Sequence, residues 1–141
     1  MGGQEFNGDG IVHLGPQPQT RLAEILASAD ALIVPSSAEN APLVVAEAAA
    51  AGCQPVCADV GGMSEMMNSL GENLKFSTEG DLVTQLGFLA LQGAPDRMSR
   101  RRSLAAKASE VFSLDAVAQK YDRVYATNPG DSDRKSKDPK V

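Results

Sequence analysis

The sequence predicts an α/β fold, a Rossmann-like parallel sheet with helices on both faces. Three observations point to it. Apolar runs at Ile11–Leu14, Ala31–Val34 and Pro55–Ala58 show no in-out alternation, as strands covered on both faces do. Segments with apolar residues at helical spacing separate these runs, and strands alternating with helices make a parallel sheet joined by right-handed crossovers. At 141 residues the chain has the length of one domain and too little for a two-domain enzyme.

The elements follow in order. Ile11-Val12-His13-Leu14 reads as a buried strand stopped by Gly15-Pro16, with His13 a structural residue inside it. Thr20 is a candidate N-cap for a helix whose apolar face carries Leu22, Ile25, Leu26 and Ala29. Ala31–Val34 is the next strand, ended by Pro35-Ser36-Ser37. A second helix runs from about Pro42 to Ala51, with Pro42 suited to the first helical position and Gly52 to the stop.

Pro55–Ala58 forms the third strand, and Asp59-Val60-Gly61-Gly62 turns into a short helix with Met63, Met66, Met67 and Leu70 on a core-facing side. Leu74-Lys75-Phe76 is a candidate fourth strand. Three more helices are marked by Leu82, Leu86, Leu89 and Ala90, then by Leu104, Ala105, Ala108, Val111 and Phe112. The last follows a Ser113 cap and carries Val117, Ala118, Tyr121, Val124 and Tyr125. Residues 1–126 thus read as one domain, and 127–141, polar and charged throughout, as a disordered tail.

Composition narrows the function. Lys and Arg number 13 against 18 Asp and Glu, a net charge of −5 that argues against a protein gripping nucleic acid by its phosphates. The imbalance is uneven: residues 1–74 hold nine acids and a single base, Arg21, whereas 75–141 hold twelve bases and nine acids. No apolar run reaches the roughly 18 residues of a membrane helix, and no signal-peptide layout opens the chain. A cytoplasmic location is expected. Cys53 and Cys57, four residues apart along an extended segment, lie too far from each other for a disulfide and are expected as free thiols. Neither they nor His13 form a metal pattern, so no metal is expected.

The informative segment is Val34-Pro35-Ser36-Ser37-Ala38-Glu39-Asn40-Ala41-Pro42-Leu43-Val44-Val45-Ala46-Glu47, a strand, a polar turn and a helix start with two carboxylates. Glu39 stands on the turn and Glu47 one to two turns into the helix, where both can face one crevice. The free amides of the first helical turn, around Leu43 and Val44, favour an anion such as a phosphate. Carboxylates beside a phosphate repel it unless they have another task, and accepting hydrogen bonds from sugar hydroxyls is one.

Pro35-Ser36, Glu39-Asn40-Ala41-Pro42 with Glu47-Ala48, Ala51-Gly52, and Asp59-Val60-Gly61-Gly62 with Glu65 together resemble the C-terminal donor-binding domain of family 4 glycosyltransferases of the GT-B type, the glycosyl transferases group 1 domain. Val12-His13-Leu14-Gly15 also resembles the strand that precedes this motif, so the resemblance covers about residues 10–126. It implies the distal part of that domain in an enzyme of polysaccharide biosynthesis that moves a sugar from a nucleotide-sugar donor to an acceptor with retention, without metal or other cofactor. It further implies Glu39 as the catalytic residue touching the donor sugar, and Glu47 as ligand of the ribose. Asn40, Ala41, Leu43 and Val44 would lie along the diphosphate, and Gln17 near the nucleobase.

Two departures accompany the resemblance. Gly52-Cys53-Gln54-Pro55 sets its proline one place later than the family's Gly-x-Pro. The Arg and Lys that neutralise the donor diphosphate in such enzymes, and the N-terminal acceptor domain, have no counterpart in residues 1–74. The expected partners are therefore a nucleotide sugar and an acceptor domain or separate acceptor subunit. Two alternatives stand beside an enzyme fragment: a donor-binding subunit of a two-polypeptide glycosyltransferase, and a non-catalytic remnant or interaction module. The basic face of Arg97, Arg100, Arg101 and Arg102 reads as solvated surface, with contact to anionic lipid at the inner membrane face as the alternative.

Overall fold

The computed structural model describes residues 10–126. The parallel sheet is present with three strands in the spatial order β1 (Ala31–Val34), β2 (Gln54–Ala58) and β3 (Lys75–Phe76). Six helices accompany it: α1 (Gln19–Ser28), α2 (Leu43–Ala50), α3 (Gly62–Ser69), α4 (Glu79–Ala90), α5 (Ala94–Phe112) and α6 (Leu114–Ala126). The expected tail at 127–141 lies outside the described residues.

Strand β2 sits at the centre, with Leu32 opposite Pro55 and Val34 opposite Cys57 on one side and Cys57 opposite Lys75 on the other. A proline in a central strand lacks one ladder donor, and the late Pro55 is tolerated for a positional reason. Gln54 N–H donates towards β1, to Asp30 O at 3.1 Å, whereas Cys57 N–H donates towards β3, to Leu74 O at 3.1 Å. Alternation puts the missing donor of Pro55 on the β3 side, one step before that ladder begins.

The main core packs Val34 and Cys57 of the sheet against Val45 and Ala49 of α2, Met63 and Met67 of α3, and Leu104 and Ala108 of α5. Of the predicted methionine stripe, Met63 and Met67 are thus buried, and Met66 packs against them partly buried. A second cluster joins Leu26 of α1 to Ala48 and Cys53, with Leu22 and Ala29 at its border. On the opposite side of β1, Ile33 remains 41% exposed, so cover on that face is thinner than full burial of the strand would give. α6 lies beside α5 but buries none of its residues: Val117 is 37% and Tyr121 61% exposed.

Helix ends explain several boundaries. α2 stops in a complete Schellman motif: Gly52 adopts φ 73°, its N–H donates to Ala49 O at 3.0 Å, and Cys53 N–H donates to Ala48 O at 2.8 Å. α4 opens with a capping box in which Thr78 Oγ1 accepts from Asp81 N–H and the Asp81 carboxylate accepts from Thr78 N–H. Ser113 caps α6 as expected, its Oγ accepting from Ala116 N–H at 3.2 Å.

Two expectations are corrected. The Ile11–Leu14 run is no buried strand: Ile11 is 58%, Val12 76% and Leu14 51% exposed, and His13 stands exposed with them. Among the described residues the sheet consists of β1, β2 and β3 alone, and none of them pairs with the run, so it finds no ladder partner to bury it. The second correction concerns α1, whose N-cap is Pro18 and not Thr20. Leu22 N–H already donates to Pro18 O at 2.9 Å, and the preset backbone of proline suits a helix start.

Three of the four arginines of the basic face are committed within the fold. Arg97 pairs with Asp30 at 3.4 Å, Arg100 donates to Gln92 Oε1, and Arg101 reaches three main-chain carbonyls. No helix among the described residues is long and apolar enough to cross a membrane.

Candidate donor-binding site

The β1–α2 loop leaves the sheet at the carboxyl end of β1, where ligands of open α/β sheets bind. Pro42 caps α2 with extended backbone, and Val45 N–H turns back to Pro42 O at 3.0 Å. The amides of Leu43 and Val44 precede the first intrahelical bond and carry the positive end of the helix dipole. Leu43 is 77% exposed, so this helix start opens to solvent.

Glu39 is half-buried and lines a shallow hollow with Ala38 and exposed Asn40; Ser36 Oγ donates to its Oε1 at 3.4 Å. Ala41 is exposed beside them. Glu47, also half-buried, sits further along α2 between two grooves. One, of about 500 Å³, runs between α2 and α5 past Ala46, Ala105, Ser109 and Phe112; the other, of about 350 Å³, runs between α1 and α2 past Leu22 and Leu26. The two carboxylates thus line different hollows. Gln17 lies apart in the exposed segment before α1, its Nε2 donating to Leu14 O.

A second strand end closes on the same loop, and sequence reasoning missed how. Gly62 N–H donates to Glu39 O at 3.1 Å, and Gly61, the cap of α3, adopts φ 49°. A Cβ on Gly61 would overlap the carbonyl oxygen of Glu39, and one on Gly62 the carbonyl oxygen of Asn40. The legible signal was a Gly-Gly pair at a helix start, where most residues are tolerated. Nearby, Asp59 accepts from Ser64 Oγ and pairs with Lys75 at 3.7 Å. Glu65 is exposed on α3.

Chemically, the loop offers carboxylates that only accept hydrogen bonds when ionised, together with amides that only donate. That combination suits a ligand with hydroxyls at one end and phosphate at the other. Cations are scarce: Arg21, the single base of residues 1–74, is held by Glu24 on α1 at 2.6 Å. Among the described residues no group of three or more His, Cys, Asp or Glu is arranged to hold a metal ion.

The family model described as "Glycosyl transferases group 1" matches residues 3–81, more than half of the chain and all of the β1–α2 loop. The chain belongs to that family. This group 1 domain is 38% identical over 111 residues to a D-inositol 3-phosphate glycosyltransferase of Nocardia farcinica, a match covering 77% of the chain and 24% of the relative. A protein of the same name from Gordonia bronchialis is 32% identical over 121 residues, 82% of the chain and 26% of the relative. The chain therefore spans about a quarter of the length of these relatives. No solved structure matches this chain. Its three-stranded parallel sheet with helices is consistent with part of a GT-B Rossmann-like domain.

Proposed function

We propose that this group 1 domain is the donor-binding part of a retaining glycosyltransferase, one that takes a nucleotide sugar as substrate and requires no metal or other cofactor. The observation that carries the reading is Glu39 on the loop beyond the carboxyl end of β1, beside the open start of α2, in a chain of this family. In it, Glu39 accepts hydrogen bonds from donor-sugar hydroxyls and orients the ring, which makes it the catalytic residue of this chain. Glu47 accepts from the ribose diol. The backbone of Asn40 and Ala41 and the amides of Leu43 and Val44 lie along the diphosphate, where the helix dipole favours negative charge. Gln17 borders the base.

Charge sets the limit of what the 141 residues do alone. A diphosphate bound by helix amides without a guanidinium or ammonium lacks the charge-assisted hydrogen bonds that make phosphate binding strong. Arg21 is engaged by Glu24, and Lys75 by Asp59. The chain on its own is thus a weak donor binder that transfers nothing, and the acceptor is held by another domain or a separate subunit. This favours a donor-binding half over a self-sufficient enzyme. The names of the relatives make a phosphorylated inositol the first acceptor to test. With Arg97, Arg100 and Arg101 engaged internally, the arginine face adds no lipid contact to the proposal.

The test is ligand-observed NMR of the full chain with UDP-glucose and GDP-mannose. Millimolar binding is expected, weakened roughly tenfold by Glu47→Ala, which corresponds to about 1.4 kcal/mol. No binding at millimolar concentration would move the reading to a non-catalytic remnant. Multiple-turnover transfer by the chain alone, abolished in Glu39→Gln, would overturn the need for a partner.

A further inference from the structure

We propose that Gly62 is a positioning residue for Glu39 and Asn40: it seats the loop that carries them against the start of α3 and so sets where Glu39 meets its ligand. The proposal rests on the donor-binding reading for its consequence, but not for its geometry.

Three observations carry it. Gly62 N–H donates to Glu39 O at 3.1 Å, so the first amide of α3 is spent on the loop after β1 and does not face solvent. The carbonyl of Asn40 occupies the space that a Cβ on Gly62 would fill. Both contacts are to backbone, which cannot rotate away as a flexible side chain would. Ser36 then holds the Glu39 carboxylate from within the same loop, at 3.4 Å. The loops beyond β1 and β2 therefore form one unit, hinged where Gly62 touches residues 39 and 40.

Position 62 separates contact from conformation. Gly61 and Gly71 adopt positive φ, at 49° and 73°, where any L side chain is strained. Gly62 does not; it is the first residue of a helix, where alanine is favoured over glycine on propensity. Gly62→Ala therefore tests the Asn40 contact almost alone. Gly87 is the matched control: it is exposed in α4, and a methyl added there would meet nothing within 4 Å.

The experiment uses the full chain, with amide NMR, thermal melting, and titration with UDP-glucose and GDP-mannose. The wild-type Gly62 amide is expected to exchange slowly with solvent. Gly62→Ala should stay folded, move the amide signals of Glu39 and Asn40 most, and weaken the better-binding sugar nucleotide roughly tenfold. Gly87→Ala should leave binding unchanged. A Gly62 amide that exchanges as fast as a free one, or a Gly62→Ala chain that binds within about twofold of wild type, would overturn the proposal. Should Gly62→Ala fail to fold, the wild-type exchange rate of the Gly62 amide decides. Should the wild type bind neither sugar nucleotide, the donor reading fails. Gly62 then stands or falls on its exchange rate and on the Glu39 and Asn40 signals.

Discussion

The guanidinium of Arg101 donates to the carbonyl of Ala29 at 2.7 Å, fastening the middle of α5 to the end of α1. The same side chain donates to Ala27 O and, at 3.4 Å, to Ala51 O beyond the end of α2. Helix ends leave carbonyls without intrahelical partners, and one planar fork with five donors satisfies three of them across two helices. Arg101→Met keeps the stem but removes the donors, and is expected to cost about 1–3 kcal/mol of stability. Arg101→Lys should recover less than half of that, because a point charge cannot span three acceptors. Denaturant melts of the two variants check this; equal stability of wild type and Arg101→Met would refute it.

Both cysteines are free, fully buried and titrate late: burial raises each from 9.0 to about 11, for Cys53 against an opposing pull from Arg101. The folded chain then holds two protons that the unfolded chain releases above pH 9. Their contribution is complete below pH 9 and is lost as the pH rises towards 11, on the order of 1–3 kcal/mol per thiol. A disulfide reagent at pH 8 should label neither thiol until denaturant is added. Prompt labelling of the native chain would contradict this.

How much of this was legible in the sequence varied with the kind of contact involved. Local patterns gave Ala31–Val34, the α2 helix with its Gly52 stop, the buried methionines and the Ser113 cap, since each depends on neighbours within a few residues. Ile11–Leu14 misled because an apolar run reports the wish for burial and not whether a ladder partner stands beside it. At the site, the Glu39 and Glu47 spacing was readable, but the seating of Glu39 and Asn40 on Gly61 and Gly62 was not. That contact joins two loops more than 20 residues apart, through backbone atoms that carry no sequence signature. The arginine face misled for a similar reason: Arg101 finds its carbonyls 50 to 74 positions away.

Glu72 gives a pH dependence of opposite origin to a salt bridge. Burial raises its carboxyl above the usual 4.5, against the hydrogen bond from Gln54 Nε2 at 3.0 Å and the charge of Arg100. The buried Oε1 of Gln54 has no donor among the described residues. A group whose folded value is raised contributes stability below its unfolded value and loses it as the pH climbs through the folded one. Glu72→Gln removes the charge and brings an N–H to the neighbourhood of that orphan oxygen. It should be more stable than wild type at pH 7 and equal to it near pH 4. Melts at the two pH values test this, and a destabilised Glu72→Gln at pH 7 would mean that the Arg100 attraction outweighs burial.

The outer edge of β1 favours association in solution. Among the described residues β1 pairs with β2 alone, so its other side presents unpaired amides and carbonyls, flanked by Ile33 at 41% exposure. Natural edges avoid this with charges, prolines or cover, and β1 reads Ala-Leu-Ile-Val. The chain is therefore expected to associate with itself, its weight-average sedimentation coefficient rising over a hundredfold concentration range. Ile33→Lys places a charge beside the edge at a site whose side chain is already partly in water. It should flatten that rise while shifting stability by no more than roughly 1 kcal/mol. A wild-type chain that stays monomeric throughout would show that the edge is covered by something other than β2, and a variant that associates as strongly as wild type would place the contact elsewhere. The exposed apolar residues of α6, Leu114 at 88% and Tyr125 at 74%, are then the surface to mutate next.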